Sequence, residues 1–187
     1  MYITDEIIIA GFGGQGVLSM GKILAYAAIY ENRETSWMPS YGPEMRGGTA
    51  NCITIISEKK ISSPIVSKFD SAIILNQPSL EKFEDHVKQH GFLFYEASTI
   101  IKPPAREDIM VYKIAAIEEA NKMGKKQISN MIMLGAFLEI KPLVKMESVL
   151  AALKKVLPER HHHLLPVNEQ ALIRGKELIE VNYHVSV

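Results

Sequence analysis

Cysteine is nearly absent from this chain of 187 residues, which contains only Cys52. A single cysteine excludes an internal disulfide, and it excludes an iron–sulfur cluster held by the usual four or so thiolates of one chain. Cys52 lies in the alternating stretch from Thr49 to Ile56, where a free cysteine behaves as a small buried apolar side chain. The chain is therefore not expected to carry electrons through iron, and Cys52 is predicted to be structural.

An excess of charge is also absent, because Lys plus Arg and Asp plus Glu each number 21. This balance argues against a chain drawn as a whole to nucleic acid or to an anionic membrane, so any basic site must be local. No apolar run reaches the roughly 20 residues that span a bilayer. The start, MYITDEIIIAG, has acids where a secretory signal has basic residues. We expect a cytoplasmic protein with no membrane or nucleic-acid partner.

Strand patterns alternate with helix patterns along the first two thirds of the chain. Apolar, β-rich runs predict strands at residues 3–10, 35–38, 50–56, 71–75, 92–95 and 109–114. Helical spacing predicts helices at residues 14–28, 79–89, 115–122, 129–140, 146–156 and 168–181. Ser79 is the expected cap of the second helix and Gly91 its expected end. The alternation predicts one α/β domain over residues 1–187, with a doubly wound, mostly parallel sheet and additional C-terminal helices.

A Rossmann-like glycine loop, GFGGQG, follows the first predicted strand and opens the first helix. Its spacing is G-x-G-x-x-G, in the strand–turn–helix context that the motif requires. The candidate ligand-binding residues are Gly11, Gly13, Gly14, Gln15 and Gly16. Glycines let a phosphate approach the backbone, and a helix N-terminus offers unpaired N–H groups. Two interpretations stay open: the loop binds a diphosphate, or its glycines only permit close packing of strand and helix.

The acid that a nicotinamide dehydrogenase uses to hold the ribose is missing from its expected place. Such an acid stands at the end of the second strand, about 20 residues after the glycine loop. Glu31 and Glu34 fall before the second predicted strand, and no acid stands at its end. The glycine loop is therefore expected to serve a phosphate group other than that of NAD.

A second glycine-rich loop, SYGPEMRGGTA, covers residues 40–50. Arg46 offers a planar, permanently charged group beside the accessible backbone of Gly47 and Gly48. That combination suits a phosphate or the carboxylate of a partner. The alternative is a solvated loop arginine with no ligand.

Four segments in this order carry a resemblance to a known family: GFGGQG, SYGPEMRGG, IISEKKISSPIV, and NMIMLGAF at residues 130–137. Together they resemble the gamma subunit of 2-oxoacid:ferredoxin oxidoreductases, which act on pyruvate, 2-oxoglutarate, branched-chain 2-oxoacids and indolepyruvate. The ending ERHHHLLPVNEQAL is most similar to the 2-oxoglutarate type.

The resemblance implies an enzyme that decarboxylates a 2-oxoacid on thiamine diphosphate, passes electrons through iron–sulfur clusters to ferredoxin, and releases an acyl-CoA. Thiamine diphosphate, Mg and the clusters are then expected on alpha and beta subunits, and on a ferredoxin-like delta subunit where one exists. This chain is implied to contribute coenzyme A binding at the glycine loop, with Arg46, Gly47, Gly48 and Asn130 as further candidates. No catalytic residue or metal ligand is expected in it.

Two other functions stay open, a purely structural subunit of the same complex and a stand-alone nucleotide-dependent oxidoreductase of Rossmann type. Asn130 is either a ligand contact or a residue that caps or completes a helix over residues 132–140. Its position before Leu134, Gly135 and Ala136 indicates a close packing site. The run from His161 to His163 is interpreted as a turn between helices or a subunit contact, because neighbouring residues rarely point at one metal ion.

Overall fold

The structure, a computed structural model, describes residues 4–41 and 48–183, which form one six-stranded sheet and six α-helices. The strands are β1 (Thr4–Phe12), β2 (Glu34–Tyr41), β3 (Thr49–Ser57), β4 (Phe69–Ile74), β5 (Val87–Glu96) and β6 (Met110–Ile114). The helices are α1 (Val17–Tyr30), α2 (Gln77–Phe83), α3 (Ala116–Lys122), α4 (Ser129–Ile140), α5 (Met146–Val156) and α6 (Leu165–Tyr183).

The sheet has the strand order β2-β3-β1-β4-β5-β6. Strands β1, β4, β5 and β6 run parallel to one another, whereas β3 is antiparallel to both β1 and β2. The short chain between β2 and β3 explains the difference, because a parallel crossover needs a dozen or more residues. The predicted α/β fold with a mostly parallel sheet is confirmed, and the sheet is mixed at the β2–β3 edge.

The core lies mainly on one face of the sheet. Ile7 and Ile9 of β1 pack there against α1, α4, α5 and α6, while Ile8 and Ala10 point to the other face beside α2. This alternation follows from the period of two along a strand. The chain after β1 and the chain after β4 lead to opposite faces and opposite edges of the sheet, so a topological switch point lies between β1 and β4, where open α/β sheets bind ligands.

The predicted helix over residues 79–89 is wrong in its bounds and in its cap. Helix α2 begins at Gln77, and the side chain of Asn76 accepts a hydrogen bond from the Ser79 N–H at 2.9 Å. Proline at the second helical position supports this earlier start. Gly91 lies inside β5 rather than at a helix end, and a Cβ there would come within 2.9 Å of the Asp70 carbonyl oxygen. A strand that approaches its neighbour this closely needs glycine.

Two glycines decide how α4 crosses α6. A Cβ on Gly135 would overlap the carbonyl of Leu172, and a Cβ on Gly175 would overlap the carbonyl of Ile132. The two helices therefore touch through their backbones, which confirms the close packing predicted at Gly135. The bounds of α4 and α5 agree with the sequence prediction, whereas α6 begins three residues before the predicted start.

Candidate functional site

The glycine loop joins the carboxyl end of β1 to the N-terminus of α1. Gly11 lies within β1, and helix α1 begins at Val17 directly after Gly16. Gly14 and Gly16 have φ angles of 97° and 78°, in the left-handed region that glycine adopts without strain. The loop therefore connects a strand to a helix, as predicted from the sequence. It lies on the β1 side of the switch point.

Two backbone N–H groups of the loop are already used within the chain. Gly13 donates to the Gly48 carbonyl at 2.9 Å, and Gln15 donates to the Phe12 carbonyl at 3.2 Å. Within residues 4–41 and 48–183, the N–H groups of Gly14 and Gly16 donate to no protein acceptor. The first N–H groups of α1 lack intrahelical acceptors by helix geometry.

The first turn of α1 favours an anion. No acidic residue lies in it, and no side chain from the described ranges caps its N-terminus. A helix N-terminus carries a partial positive charge of about half an elementary charge. Gly14, which is exposed, Gly16, which is half-buried, and this uncapped turn therefore form a cradle suited to a phosphate group.

Gln15 closes the crevice between the ends of β1 and β4. Its Oε1 accepts a hydrogen bond from the Phe12 N–H at 2.6 Å, and its Nε2 donates to the Leu75 carbonyl at 3.1 Å. A Cβ on Gly11 would lie 2.6 Å from Gln15 Oε1, so only glycine leaves room for this amide. The predicted ligand residue Gln15 thus braces the loop, and its side chain occupies the switch-point crevice itself.

A depression of about 260 Å³ opens on the α1 side of the loop and is here called the loop pocket. Its walls are Phe12, Gly13, Gly14, Gly16, Val17, Leu18, Ser19 and Ala50. These eight wall residues include no charged side chain, so the backbone N–H groups determine the electrostatic character that they give the pocket. Ser19, an exposed residue in the first turn of α1, was not identified from the sequence, although its place three residues after Gly16 could have suggested it.

A second depression, of about 220 Å³, lies on the other side of Gln15 and is here called the crevice pocket. Glu96 lines it and is 1% exposed; its carboxylate accepts hydrogen bonds from the Ser98 N–H and hydroxyl and from the Ile117 N–H. Lys126 lines the same pocket. A buried carboxylate in this wall disfavours an anion, so the loop pocket is the better phosphate site of the two. The sequence analysis did not identify Glu96 as a pocket residue, because no local sequence pattern distinguishes it.

Asn130 lies in the first turn of α4 and packs against the glycine loop. A Cβ on Gly16 would overlap the Asn130 side-chain amide, so the two residues are in direct contact. Asn130 does not cap the helix, because α4 begins at Ser129 with Ile128 at the cap position; it completes the first turn instead, which is the other structural role predicted for it. The structure therefore brings two separate sequence candidates, Gly16 and Asn130, to one place.

The second glycine-rich loop is described only in part. Arg46 and Gly47 lie outside the described residues, and so does most of the segment that carries the second family motif. Gly48 is described, and its carbonyl accepts the Gly13 N–H. The two glycine loops are therefore neighbours at the carboxyl end of β1.

Cys52, on β3, packs against the first turn of α1. It is fully buried, and its thiol donates to the Val17 carbonyl at 3.5 Å. Burial raises the pKa of the thiol to about 12, so the structural role predicted for Cys52 is confirmed. A Cβ on Gly21 would lie 2.5 Å from Cys52 Sγ and 2.8 Å from Thr54 Oγ1. Gly21 thus lets α1 sit directly on β3, which fixes the helix end at the cradle.

The histidine run forms a 3-10 turn between α5 and α6, as predicted. The ring of His162 contacts the carbonyls of Lys154 and Leu157 at 3.0 Å, and His163 contacts the Arg160 carbonyl. In the part of the chain that the structure describes, no cluster of three or more His, Cys, Asp or Glu side chains could hold a metal ion. None of the helices described is long and apolar enough to cross a membrane.

Comparison with known proteins identifies relatives along most of the chain. The family profile described as pyruvate ferredoxin/flavodoxin oxidoreductase matches residues 6–178. Ketoisovalerate oxidoreductase subunit VorA of Methanothermobacter thermautotrophicus is 45% identical over 135 residues, which are 72% of this chain and 28% of VorA. The chain thus spans under a third of the length of that relative. The 2-oxoglutarate synthase subunit KorC of Methanocaldococcus jannaschii is 35% identical over 160 residues, 84% of this chain and 86% of KorC.

Solved structures share the fold. The gamma subunit of a keto/oxoacid ferredoxin oxidoreductase from Geobacter sulfurreducens has a TM-score of 0.78 and 28% identity, covering 92% of this chain and 96% of that one. A 2-oxoglutarate:ferredoxin oxidoreductase from Magnetococcus marinus, solved with 2-oxoglutarate, coenzyme A and succinyl-CoA bound, has a TM-score of 0.86, covering 95% of this chain and 31% of that one. The two sequences are 24% identical, so this similarity shows a shared fold and nothing more. The chain therefore belongs to the pyruvate ferredoxin/flavodoxin oxidoreductase family and has the fold of its gamma-type subunits.

Proposed function

We propose that this chain serves a 2-oxoacid:ferredoxin oxidoreductase by holding the diphosphate of coenzyme A in the loop pocket. The observation that carries the proposal is the cradle of Gly14, Gly16 and the first turn of α1, whose N–H groups have no acceptor among the described residues and whose first turn has no acid. Coenzyme A has a diphosphate at its centre, the group that such a helix N-terminus binds well. The 2-oxoacid proposed is 2-oxoglutarate, giving succinyl-CoA, CO2 and reduced ferredoxin.

The role of the chain in this proposal is to position the coenzyme. Thiamine diphosphate, Mg and the iron–sulfur clusters belong to the alpha and beta subunits, with a delta subunit where one exists. A diphosphate fixed at the loop sets where the thiol arm begins, which lowers the entropic barrier to acyl transfer on the partner. The Magnetococcus marinus structure, which holds coenzyme A and succinyl-CoA, supports the proposal through its fold only.

The closed crevice disfavours the alternative of a stand-alone dinucleotide enzyme. In dinucleotide-binding folds the ligand crosses the switch point, where the Gln15 amide lies in this chain. Glu34 is the first residue of β2, at the far end of that strand from the glycine loop, and Glu31 accepts the Lys145 N–H instead of facing the loop. Neither acid is placed to hold a ribose beside the loop.

The oxoacid assignment has a second candidate. KorC is matched over most of its length, which favours 2-oxoglutarate, whereas the higher identity to VorA favours ketoisovalerate. Steady-state assays of the native complex with 2-oxoglutarate, ketoisovalerate and pyruvate separate them. The largest kcat/KM for 2-oxoglutarate supports the first assignment, and the largest value for ketoisovalerate replaces it.

Ser19→Glu tests the loop pocket in the complex assembled from this chain and its partner subunits. An acid in the first helical turn suits the helix dipole, so folding is preserved, but it repels a bound diphosphate. We expect the KM for coenzyme A to rise at least about tenfold, which is about 1.4 kcal/mol, with kcat at saturating coenzyme A within about twofold. Dye reduction at varied coenzyme A measures both constants.

Ser19→Gln is the matched control, because it has the size of glutamate without the charge. It is expected to change the KM for coenzyme A by less than about threefold, roughly 0.6 kcal/mol. An unchanged KM in Ser19→Glu would leave the loop with a packing role and favour the purely structural subunit. Tight NADH binding by the isolated chain would instead favour the dinucleotide enzyme.

A further inference from the structure

A depression of about 270 Å³ opens at the ends of four helices, beside the loop pocket, and is here called the helix groove. It is bounded by the N-terminal parts of α1, α4 and α6 and by the C-terminal end of α5. Val156, Leu157 and Leu164 in its lining are only half-buried, so the groove leaves apolar surface open to solvent. Its other apolar lining residues are Ile23, Ile128, Met131, Leu153 and Pro158.

The polar groups in the lining are largely engaged within the chain. The Asn168 side chain donates to the Leu164 carbonyl at 2.7 Å, and the Asn130 amide packs against Gly16. None of the lining residues has an ionised side chain. The groove is therefore an apolar contact surface rather than a site for a polar ligand, and exposed apolar surface of this kind marks places where other molecules bind.

Five exposed cations lie in the segments that line this groove: Lys125, Lys126, Lys154, Lys155 and Arg160. Within residues 4–41 and 48–183 none of these five forms an ion pair, whereas six other cations do: Lys88, Arg106, Lys122, Lys141, Arg174 and Lys176. The same segments contain only two acids, Glu159 and Glu169. A chain without net charge thus concentrates unpaired positive charge beside one groove.

An acidic protein segment is complementary to this combination. Lysine and arginine at the rim attract aspartate and glutamate, and the apolar lining accepts an apolar side chain from the same segment. A nucleic-acid backbone supplies the anions but has no aliphatic group for the groove. A second copy of this chain is disfavoured, because a two-fold interface would place the same cations against each other.

The groove adjoins the proposed diphosphate site. Ser19 lines both the loop pocket and the helix groove. A protein docked at the groove therefore lies beside the ligand in the loop pocket. The subunit that carries the acyl group has to lie there as well, since the coenzyme thiol must reach it for acyl transfer.

We propose that the helix groove and its basic rim dock an acidic segment of a partner subunit of the same complex. The segment presents aspartate or glutamate to Lys125 and Arg160 and an apolar side chain to Leu157. This inference rests on the proposed function only for the identity of the partner, because the docking itself does not require coenzyme A.

Reversal of two rim charges tests the docking, with Lys125→Glu and Arg160→Glu combined in the full chain. The rate constant for association with the purified partner subunits, measured by surface plasmon resonance without coenzyme A, should fall at least about tenfold at low salt. The loss should shrink at about 1 M salt, where charges are screened beyond about 3 Å.

Lys60→Glu combined with Lys102→Glu is the matched control for the rim variant. Both residues are exposed lysines outside the groove lining, and the net charge of the chain changes equally. The association rate constant of this control should change by less than about threefold.

Leu157→Gln tests the apolar part of the groove without a change of charge. The rate constant for dissociation from the partner subunits should rise at least about fivefold, since buried contacts act mainly on dissociation. Ile173→Gln on α6, at a residue that is 46% exposed and outside the groove lining, should leave that rate constant within about twofold. Circular dichroism of each isolated variant checks that it is folded.

An unchanged association rate in the rim variant, or an equal loss in its control, overturns the proposal. A rim variant that assembles normally but has a raised KM for coenzyme A also overturns it, because the cations then serve the coenzyme. A dimer of the isolated chain that the rim variant dissociates would assign the groove to a second copy, and binding of a DNA duplex that the rim variant abolishes would assign it to nucleic acid. Either result overturns the proposal.

The outcomes for the docking and for the proposed function are separable. If Ser19→Glu raises the KM for coenzyme A while the rim variant assembles normally, the inference fails and the proposed function stands. If the rim variant fails to assemble while Ser19→Glu leaves the KM unchanged, the docking stands and the proposed function fails.

Discussion

Single residues in this chain act mostly by bracing the elements that form the cradle. Gln15 was predicted as a ligand residue, yet both ends of its amide are used within the protein. Cys52 and Gly21 seat α1 on β3, and Arg33 donates to the Leu143 carbonyl at 2.6 Å, which ties the start of β2 to the connection before α5. Removing one partner of such a contact leaves a buried polar group unsatisfied.

The ion pairs of Glu119 should stabilise the fold in a way that depends on pH. Its pKa lies below the ordinary value because Lys122 and then Arg174 donate to its carboxylate, although burial acts in the opposite direction. A lowered pKa in the folded state stabilises the fold above the unfolded pKa, and this contribution disappears as the pH falls through the folded value. Glu119→Gln should therefore lose about 1 kcal/mol of unfolding free energy at pH 7 and less at pH 3.

Urea unfolding at both pH values measures the difference. Glu118→Gln is the control, because Glu118 also pairs with Lys122 but its side chain is 63% exposed. Its effect should stay below about 0.5 kcal/mol at either pH. An equal loss at pH 3 and pH 7 in Glu119→Gln would show that packing rather than charge is responsible.

At the scale of elements, helix crossings place the N-termini that surround the glycine loop. The backbone contact of α4 with α6 fixes the position of α4, whose first turn places Asn130 against Gly16. At the other edge of the sheet, α6 contacts β6 through Tyr183, whose hydroxyl accepts the Lys113 N–H at 2.7 Å and donates to the Lys113 carbonyl at 3.2 Å. This contact occupies both backbone groups of one residue of the edge strand.

Gly175→Ala tests the α4–α6 crossing. The new methyl group would overlap the Ile132 carbonyl, so the helices must separate. Overpacking of this kind costs about 1–3 kcal/mol, against a gain of about 1 kcal/mol in helix propensity. Because the overlap is with rigid backbone, we expect a net loss of about 2 kcal/mol in chemical denaturation. Ala151→Gly, at an exposed site on α5, calibrates the propensity term alone. A more stable Gly175→Ala variant would contradict the described contact.

At the scale of the whole molecule, the acidic and basic side chains balance, so electrostatic effects depend on local groups. The chain has a net charge of zero and a pI of about 7.0, so its net charge attracts neither anions nor cations, and any attraction of a charged ligand is local. The sheet is covered on one face by most of the helices and on the other mainly by α2, with the cradle at the carboxyl ends of the strands. The relatives of this chain are subunits, which is consistent with a site that partners complete.

The charge balance predicts a solubility minimum near pH 7 for the isolated chain. Molecules without net charge repel one another least, and the acidic and basic side chains of this chain balance at pH 7. Light scattering at low salt, from about pH 5 to about pH 9, measures the position of the minimum. A minimum displaced by more than about one unit would show that buried groups shift the titration of the whole chain.

Local patterns in the sequence determined the α/β class, the glycine loop, and the bounds of α4 and α5. Hydrophobic period and glycine spacing act between near neighbours, so they can be read without a structure. The error at α2 arose where Asn76 and Ser79 were both good caps and the sequence could not rank them. The mixed edge of the sheet was not predicted either, because a short connection between β2 and β3 indicates an antiparallel pair only once the two strands are known to be neighbours.

Only the tertiary structure decided which candidates meet. It placed Asn130 against Gly16, and it placed the amide of Gln15 in the crevice between β1 and β4. These relations join residues far apart along the chain, and they depend on strand order and helix crossings that no local pattern encodes. The sequence by itself therefore determined that a glycine loop joins β1 to α1, and the packing of the helices decided what surrounds it.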